Sequence, residues 1–125
     1  MSLDVYLEGP EIEELQTCCE CGHERMVKRC ERFYEDNITH NLNTMAERCG
    51  IYKELWRPEE IGVTKASQLI KPLTAGLAKL RANPTRFRKF DSPNGWGTYE
   101  HLFEFVENYL EACKENPEAN VRASR

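Results

Sequence analysis

No run of apolar residues in this chain approaches the roughly 20 that a helix needs to cross a bilayer. The first residues also lack the basic-then-apolar order of a secretory leader, so a soluble, cytoplasmic protein with no membrane partner is expected. Positive charge is in short supply. With 17 Lys and Arg against 21 Asp and Glu, the formal net charge is -4, which argues against a protein that coats duplex DNA by neutralising its phosphates. Catalytic fingerprints are missing too: there is no nucleophile elbow, P-loop or dinucleotide-binding glycine pattern, and His23-Glu24 is not followed by the second histidine of a zincin. An imidazole such as that of His40 can serve as a general base, but no carboxylate is placed by sequence to orient it, so a small His- or metal-dependent enzyme is the weakest reading. Internal repeats and low-complexity segments are absent.

What is present suits one globular domain. A chain of 125 residues, 40% hydrophobic, is long enough for one real core and too short for two. The expected class is α+β: a small antiparallel sheet from residues 1–36, to which the C-terminal segment 117–125 could add a strand, packed on three to four helices from 37–116. Ser2 to Leu7 alternates like a half-buried strand and should stop in a turn at Gly9-Pro10. Residues 11–19 and 24–34 then read as the arms of a hairpin. Glu11, Glu13 and Glu14 lie on one arm and Arg25, Lys28, Arg29 and Arg32 on the other, a pattern that suits cross-strand charge pairing.

Six cysteines without a secretory leader are expected to be thiols or metal ligands, not a disulfide framework. Cys18 and Cys21, followed by Gly22, have the spacing of a zinc knuckle. A structural zinc needs two further ligands, for which His23, Cys30 and His40 are the nearby candidates, none at the spacing of a second ligand pair. Zinc is thus a possible cofactor, and reduced thiols at a hairpin tip are the alternative.

The polar stretch Asn37-Ile38-Thr39-His40-Asn41-Leu42 follows. Thr39 reads as an N-cap, with Leu42, Met45, Ala46 and Cys49 at helical spacing up to Gly50. A helix N-terminus here would offer amides to a phosphate or carboxylate, with His40 and Asn41 alongside. The competing reading is a cap that merely satisfies its own backbone. Tyr52, Leu55 and Trp56 make a short helical turn ending before Pro58, with Trp56 and Arg57 suited either to the core or to a pocket wall. Thr64 should cap a longer helix through Leu80, kinked at Pro72. Its end and the following loop are basic, from Lys79 to Lys89, with Phe87 and Phe90 interleaved. In the loop from Asp91 to Gly97, Asn94 and two glycines surround Trp96, and Thr98 caps an amphipathic helix carrying Leu102, Phe105, Val106, Tyr109, Leu110 and Cys113. Asn120 to Ser124 would return as an edge strand, bringing Arg122 and Arg125 to the sheet.

The segments Asn37 to Leu42, Leu55-Trp56-Arg57-Pro58 and Asn94-Gly95-Trp96-Gly97-Thr98-Tyr99-Glu100, in this order, resemble a group of short phage and bacterial proteins with no established activity. The resemblance implies a phage-associated setting inside a bacterial host, where small proteins interfere with host defence. Combined with the residues, it suggests a non-catalytic module holding an anionic, nucleotide-like ligand among Asn37, Thr39, His40, Asn41, Trp56, Arg57, Asn94, Trp96, Thr98 and Arg122. The alternative is a protein-interaction module that docks its hairpin on a host protein, and a homo-oligomer is compatible with either.

Overall fold

The computed structural model describes residues 2–125, apart from the side chains of Glu11, Lys28 and Arg29. The chain is α+β, as its patterning requires. Three strands, β1 (Ser2–Thr17), β2 (Glu24–Thr39) and β3 (Asn120–Ser124), form an antiparallel sheet in the order β2-β1-β3. Leu3, Val5 and Leu7 are fully buried on one face of β1, while Asp4, Tyr6 and Glu8 alternate onto the other. Burial of each such aliphatic side chain contributes about 1.5–3 kcal/mol, which fixes the register because a one-residue slip would expose all of them.

β1 does not stop at Gly9-Pro10. The strand continues to Thr17, and the irregularity falls between Leu7 and Glu11, where Tyr34 and Arg32 flank an extra residue on β2 before Gly9 and Pro10 add length on β1. These offset bulges absorb the two residues least suited to a ladder. A Cβ on Gly9 would sit 3.1 Å from the Phe33 ring, and Pro10 has no amide to donate. β3 pairs only with Asp4 to Glu8, so beyond the bulge β1 and β2 continue as a two-stranded ribbon. Every described side chain from Pro10 to Met26 is exposed, so no core lies under either face of this arm. Among the expected cross-strand charge pairs, those of Glu11, Lys28 and Arg29 lie outside the described side chains; Arg32 Nη2 stands 3.9 Å from the Glu8 carboxylate.

Five helices cover the buried face: α1 (Asn43–Arg48), α2 (Tyr52–Trp56), α3 (Ser67–Ala82), α4 (Pro84–Arg88) and α5 (Tyr99–Glu115). None is long and apolar enough to cross a membrane among the described residues. The helix expected directly after Thr39 begins as a 3-10 turn over His40–Leu42 before α1 starts, and Gly50 leaves it at φ 84°. α3 passes through Pro72 as one helix. Thr64 is not its cap. The Gln68 side chain reaches back instead, its Oε1 accepting from the amides of Thr64 at 2.7 Å and Lys65 at 2.9 Å, while the carbonyls of Ala119 and Pro117 take the amides of Ala66 and Ser67. The basic stretch expected to be loop contains α4, opened by Pro84 at the first helical position, with Phe87 as a core plug. α5 buries the six apolar residues foreseen and adds Tyr99 and Ala112. The Tyr99 hydroxyl donates to the Leu80 carbonyl at 2.6 Å, tying the start of α5 to the end of α3.

Candidate functional site

Two of the polar motifs meet. The Asn41 side-chain amide donates to the Trp96 carbonyl at 2.8 Å, and Gly97 lies so close to the 39–42 turn that an added Cβ would sit 3.1 Å from Thr39 Cγ2, 3.2 Å from Asn41 Cβ and 3.3 Å from Leu42 Cγ. At φ 115° this position also demands glycine on backbone grounds. Asn94 shapes the loop from within, its Oδ1 accepting from the Trp96 amide at 3.0 Å and from the Ser92 hydroxyl. The result holds Trp96 out from the surface with 71% of its area exposed.

Beside this joint runs a cleft of about 490 Å³. One wall is the outer edge of β2 from Asp36 to Thr39, an edge strand with no further strand beside it among the described residues. Gly95, Trp96 and Gly97 form one end, and His101, Glu104, Phe105 and Asn108 of α5 form the other wall. Asp36 is held in place by the Tyr34 hydroxyl, which donates to it at 3.1 Å, and by the Asn37 amide at 2.8 Å. Burial, with the neighbouring Asp36 carboxylate adding to it, raises the Tyr34 phenol above its ordinary pKa, so it remains a donor.

The residues expected to bind a ligand divide into several groups. Asn37, Thr39 and Trp96 line the cleft; Asn41, Asn94 and Thr98 build its frame. Trp56 is a correction. It is only 2% exposed, stacked on Tyr52 at 5.6 Å, and cannot offer a face to a ligand. His40 is spent on it: the Trp56 indole N–H donates to His40 Nδ1 at 2.9 Å, which leaves the ring proton of the neutral imidazole on Nε2. Arg57 donates to the Tyr52 hydroxyl and to Glu60, and Arg125 to the Trp56 carbonyl and Glu59. Arg122 belongs to the opposite face of the sheet, 3.3 Å from the Glu8 carboxylate, in a separate depression with Tyr6 and Arg32. None of these arginines lines the cleft.

At both helix N-termini where a phosphate was expected, amides bond within the chain. In the first turn of α5 the Tyr99 amide goes to the Asp91 carboxylate at 2.7 Å and the His101 amide to the Thr98 hydroxyl at 3.4 Å. The Asn41 amide likewise goes to Thr39. Those amides are already satisfied, and among the described residues the cleft lining carries Asp36 and Glu104 but neither lysine nor arginine. Asp36, His101, Glu104 and Asn108 were not foreseen. The available signal was the spacing of His101, Glu104 and Asn108, which puts three polar side chains on one stripe of a helix beside its apolar face.

At the hairpin tip Cys18, Cys21 and His23 border a shallow depression. Cys30 does not: it stands opposite Glu11 in register, roughly 20 Å along the ribbon at about 3.4 Å per residue, so it cannot complete a site there. Among the described residues no three His, Cys, Asp or Glu side chains are grouped to hold a metal ion. No protein-family model, curated protein or solved structure matches this chain.

Proposed function

We propose that the protein is a non-catalytic binding module whose ligand enters the cleft between the β2 edge and α5. The observation that carries this reading is the contrast between the two tryptophans. Trp56 is buried, whereas Trp96 is held exposed by a loop that is itself welded to the 39–42 turn at the mouth of a cleft. Exposing an indole costs hydrophobic stabilisation, and ordering its loop costs entropy, so a fixed, exposed tryptophan is best explained by something flat that covers it. The carboxylates of Asp36 and Glu104 and the amides of Asn37 and Asn108 then select hydrogen-bond donors. A nucleobase has both properties, a π-face and donor-bearing edges. The nucleotide-like ligand expected from the sequence is thereby narrowed to its base, with any phosphates outside the cleft. In the phage-associated setting that the resemblance implies, such a module would work by stoichiometric sequestration.

Titration with nucleosides and with the matching triphosphates, read by Trp96 fluorescence and by thermal stabilisation, tests this. Binding of the nucleoside at least as tight as that of its triphosphate, lost in Trp96→Ala with the melting temperature of the free protein unchanged, is expected. Binding that requires the triphosphate would refute the assignment of the cleft chemistry. A protein-interaction role is favoured by a different feature, the exposed ribbon carrying Ile12, Leu15 and Met26.

A further inference from the structure

The polar groups lining the cleft fall into two sets, of which one is engaged within the chain. Both Asp36 oxygens accept, one from the Tyr34 hydroxyl at 3.1 Å and one from the Asn37 amide at 2.8 Å. The Thr39 hydroxyl accepts from the Asn41 amide, and the Trp96 carbonyl from the Asn41 side chain. These bonds hold the walls in place. The other set consists of the side chains of Asn37, His101, Glu104 and Asn108, which line the cleft without a hydrogen bond or ion pair among the described residues.

Glu104 is central to that second set. His101 precedes it by three residues and Asn108 follows it by four, so the three side chains stand in one row along α5. Trp96 comes just before the helix, and the row therefore runs from the indole end of the cleft through His101 and Glu104 to Asn108. No lysine or arginine lines the cleft among the described residues, so the Glu104 carboxylate borders it without a counter-charge. A carboxylate only accepts, and its two oxygens lie side by side. The ligand edge that satisfies both is a pair of adjacent N–H donors.

Among the common nucleobases that edge belongs to guanine, whose ring N1–H adjoins its 2-amino group. Adenine and cytosine place a single amino group next to a ring nitrogen lone pair, and uracil places one N–H between two carbonyl oxygens. Against any of these three, one carboxylate oxygen meets a lone pair and is repelled, which is discrimination by mismatch. Guanine also carries the acceptor O6 directly beyond N1–H. Asn108, one helical turn beyond Glu104, has the amide N–H groups that such an acceptor takes.

We propose that the base taken up by the cleft is guanine, with Glu104 accepting from N1–H and the 2-amino group, Asn108 donating to O6 and Trp96 covering the ring. The assignment rests on the nucleobase reading of the cleft and adds the selecting residue to it. Asp36, already holding two donors, is a fixed part of the wall and does not choose between bases.

Isothermal titration of the full-length protein with guanosine, inosine, adenosine, cytidine and uridine tests this. Guanosine is expected to bind at least about tenfold more tightly than each of the others, because a bidentate pair discriminates on that scale. Inosine, which lacks only the 2-amino group, isolates the second donor. Glu104→Gln presents one acceptor and one donor, and should lose the guanosine preference and gain affinity for adenosine. Glu104 is exposed, so the thermal melt of this variant should match that of the parent. Asn108→Ala should weaken guanosine binding while leaving guanosine the tightest ligand. Equal binding of guanosine and inosine, or a Glu104→Gln variant that keeps the parent's preference, would overturn the guanine assignment and leave a base-binding cleft standing. Failure of every nucleoside to bind would overturn both.

Discussion

Gly97→Ala isolates the joint on which the candidate site depends. The added methyl meets two separate costs. The first is backbone strain at φ 115°, a region that residues with a Cβ rarely occupy, worth about 1–3 kcal/mol. The second is crowding against Thr39, Asn41 and Leu42 at 3.1, 3.2 and 3.3 Å, which forces the 39–42 turn and the Trp96 loop apart at a cost of about 1–3 kcal/mol. Gly95→Ala is the control. It sits at φ 76° with nothing within 4 Å of its would-be Cβ, so it carries strain without crowding. Both substitutions remove the same freedom from the unfolded chain, and that contribution cancels in their difference. Urea unfolding followed by circular dichroism should therefore show Gly97→Ala less stable than Gly95→Ala by about 1–3 kcal/mol. It should also weaken ligand binding at the cleft more than Gly95→Ala does. Equal midpoints and slopes for the two variants would mean that the Trp96 loop does not rest on the 39–42 turn, and the site would lose its frame.

Thiol reactivity should split the six cysteines: Cys18, Cys19, Cys21 and Cys30 are exposed and react with an aromatic disulfide in native protein, whereas Cys49 and Cys113 are buried and react only after denaturation. Burial pushes the Cys49 thiol from 9.0 up to about 11, so the native state holds this proton more tightly than the unfolded chain; its contribution to stability is complete below pH 9.0 and is lost as pH rises through about 11, and Cys49→Ala should flatten that alkaline decline in a pH series of urea melts. His40→Ala removes the acceptor of the buried Trp56 N–H and should destabilise by about 1–3 kcal/mol, measured by the same unfolding assay, without changing affinity for a ligand in the cleft. Gln68→Ala leaves the Thr64 and Lys65 amides without their shared acceptor and should cost about 1 kcal/mol, whereas Gln68→Glu, which keeps an acceptor at that reach, should cost less.

The architecture was legible where burial imposes a period. Leu3, Val5 and Leu7 at spacing two, and the α5 stripe from Leu102 to Cys113 at helical spacing, are one-sided patterns that admit one fold class. Caps were legible when the capping atom lies on the residue before the helix, as for Thr39 and Thr98. They were not when the cap reaches backward from inside the helix, as Gln68 does, since nothing in local order distinguishes it from any polar surface residue. Gly9-Pro10 reads as a turn in isolation. It becomes a bulge because Ser2 to Leu7 is already pinned by its core face and the ribbon beyond is pinned by its hairpin, leaving the irregular residues to be absorbed between them. The cleft was half legible, because one wall comes from motifs and the other from a helix stripe of ordinary composition.

The chemistry of the site was harder to read than its location, for a reason visible in the 37–42 stretch. Of its polar groups, the Thr39 hydroxyl accepts the Asn41 amide, the Asn41 side chain holds the Trp96 carbonyl, and the His40 ring accepts from Trp56. Residue type records that a side chain can bond but not whom it bonds, and a polar group beside a core is satisfied internally before it is offered to a ligand. This motif is therefore foremost a weld between the sheet edge, the α2 tryptophan and the Trp96 loop. What it leaves for a ligand is the outer edge of β2 at Asp36 and Asn37, facing Glu104 and Asn108, with an indole at one end. The ligand character proposed above rests on that remainder and not on the motif: donors and a π-face are matched by these groups.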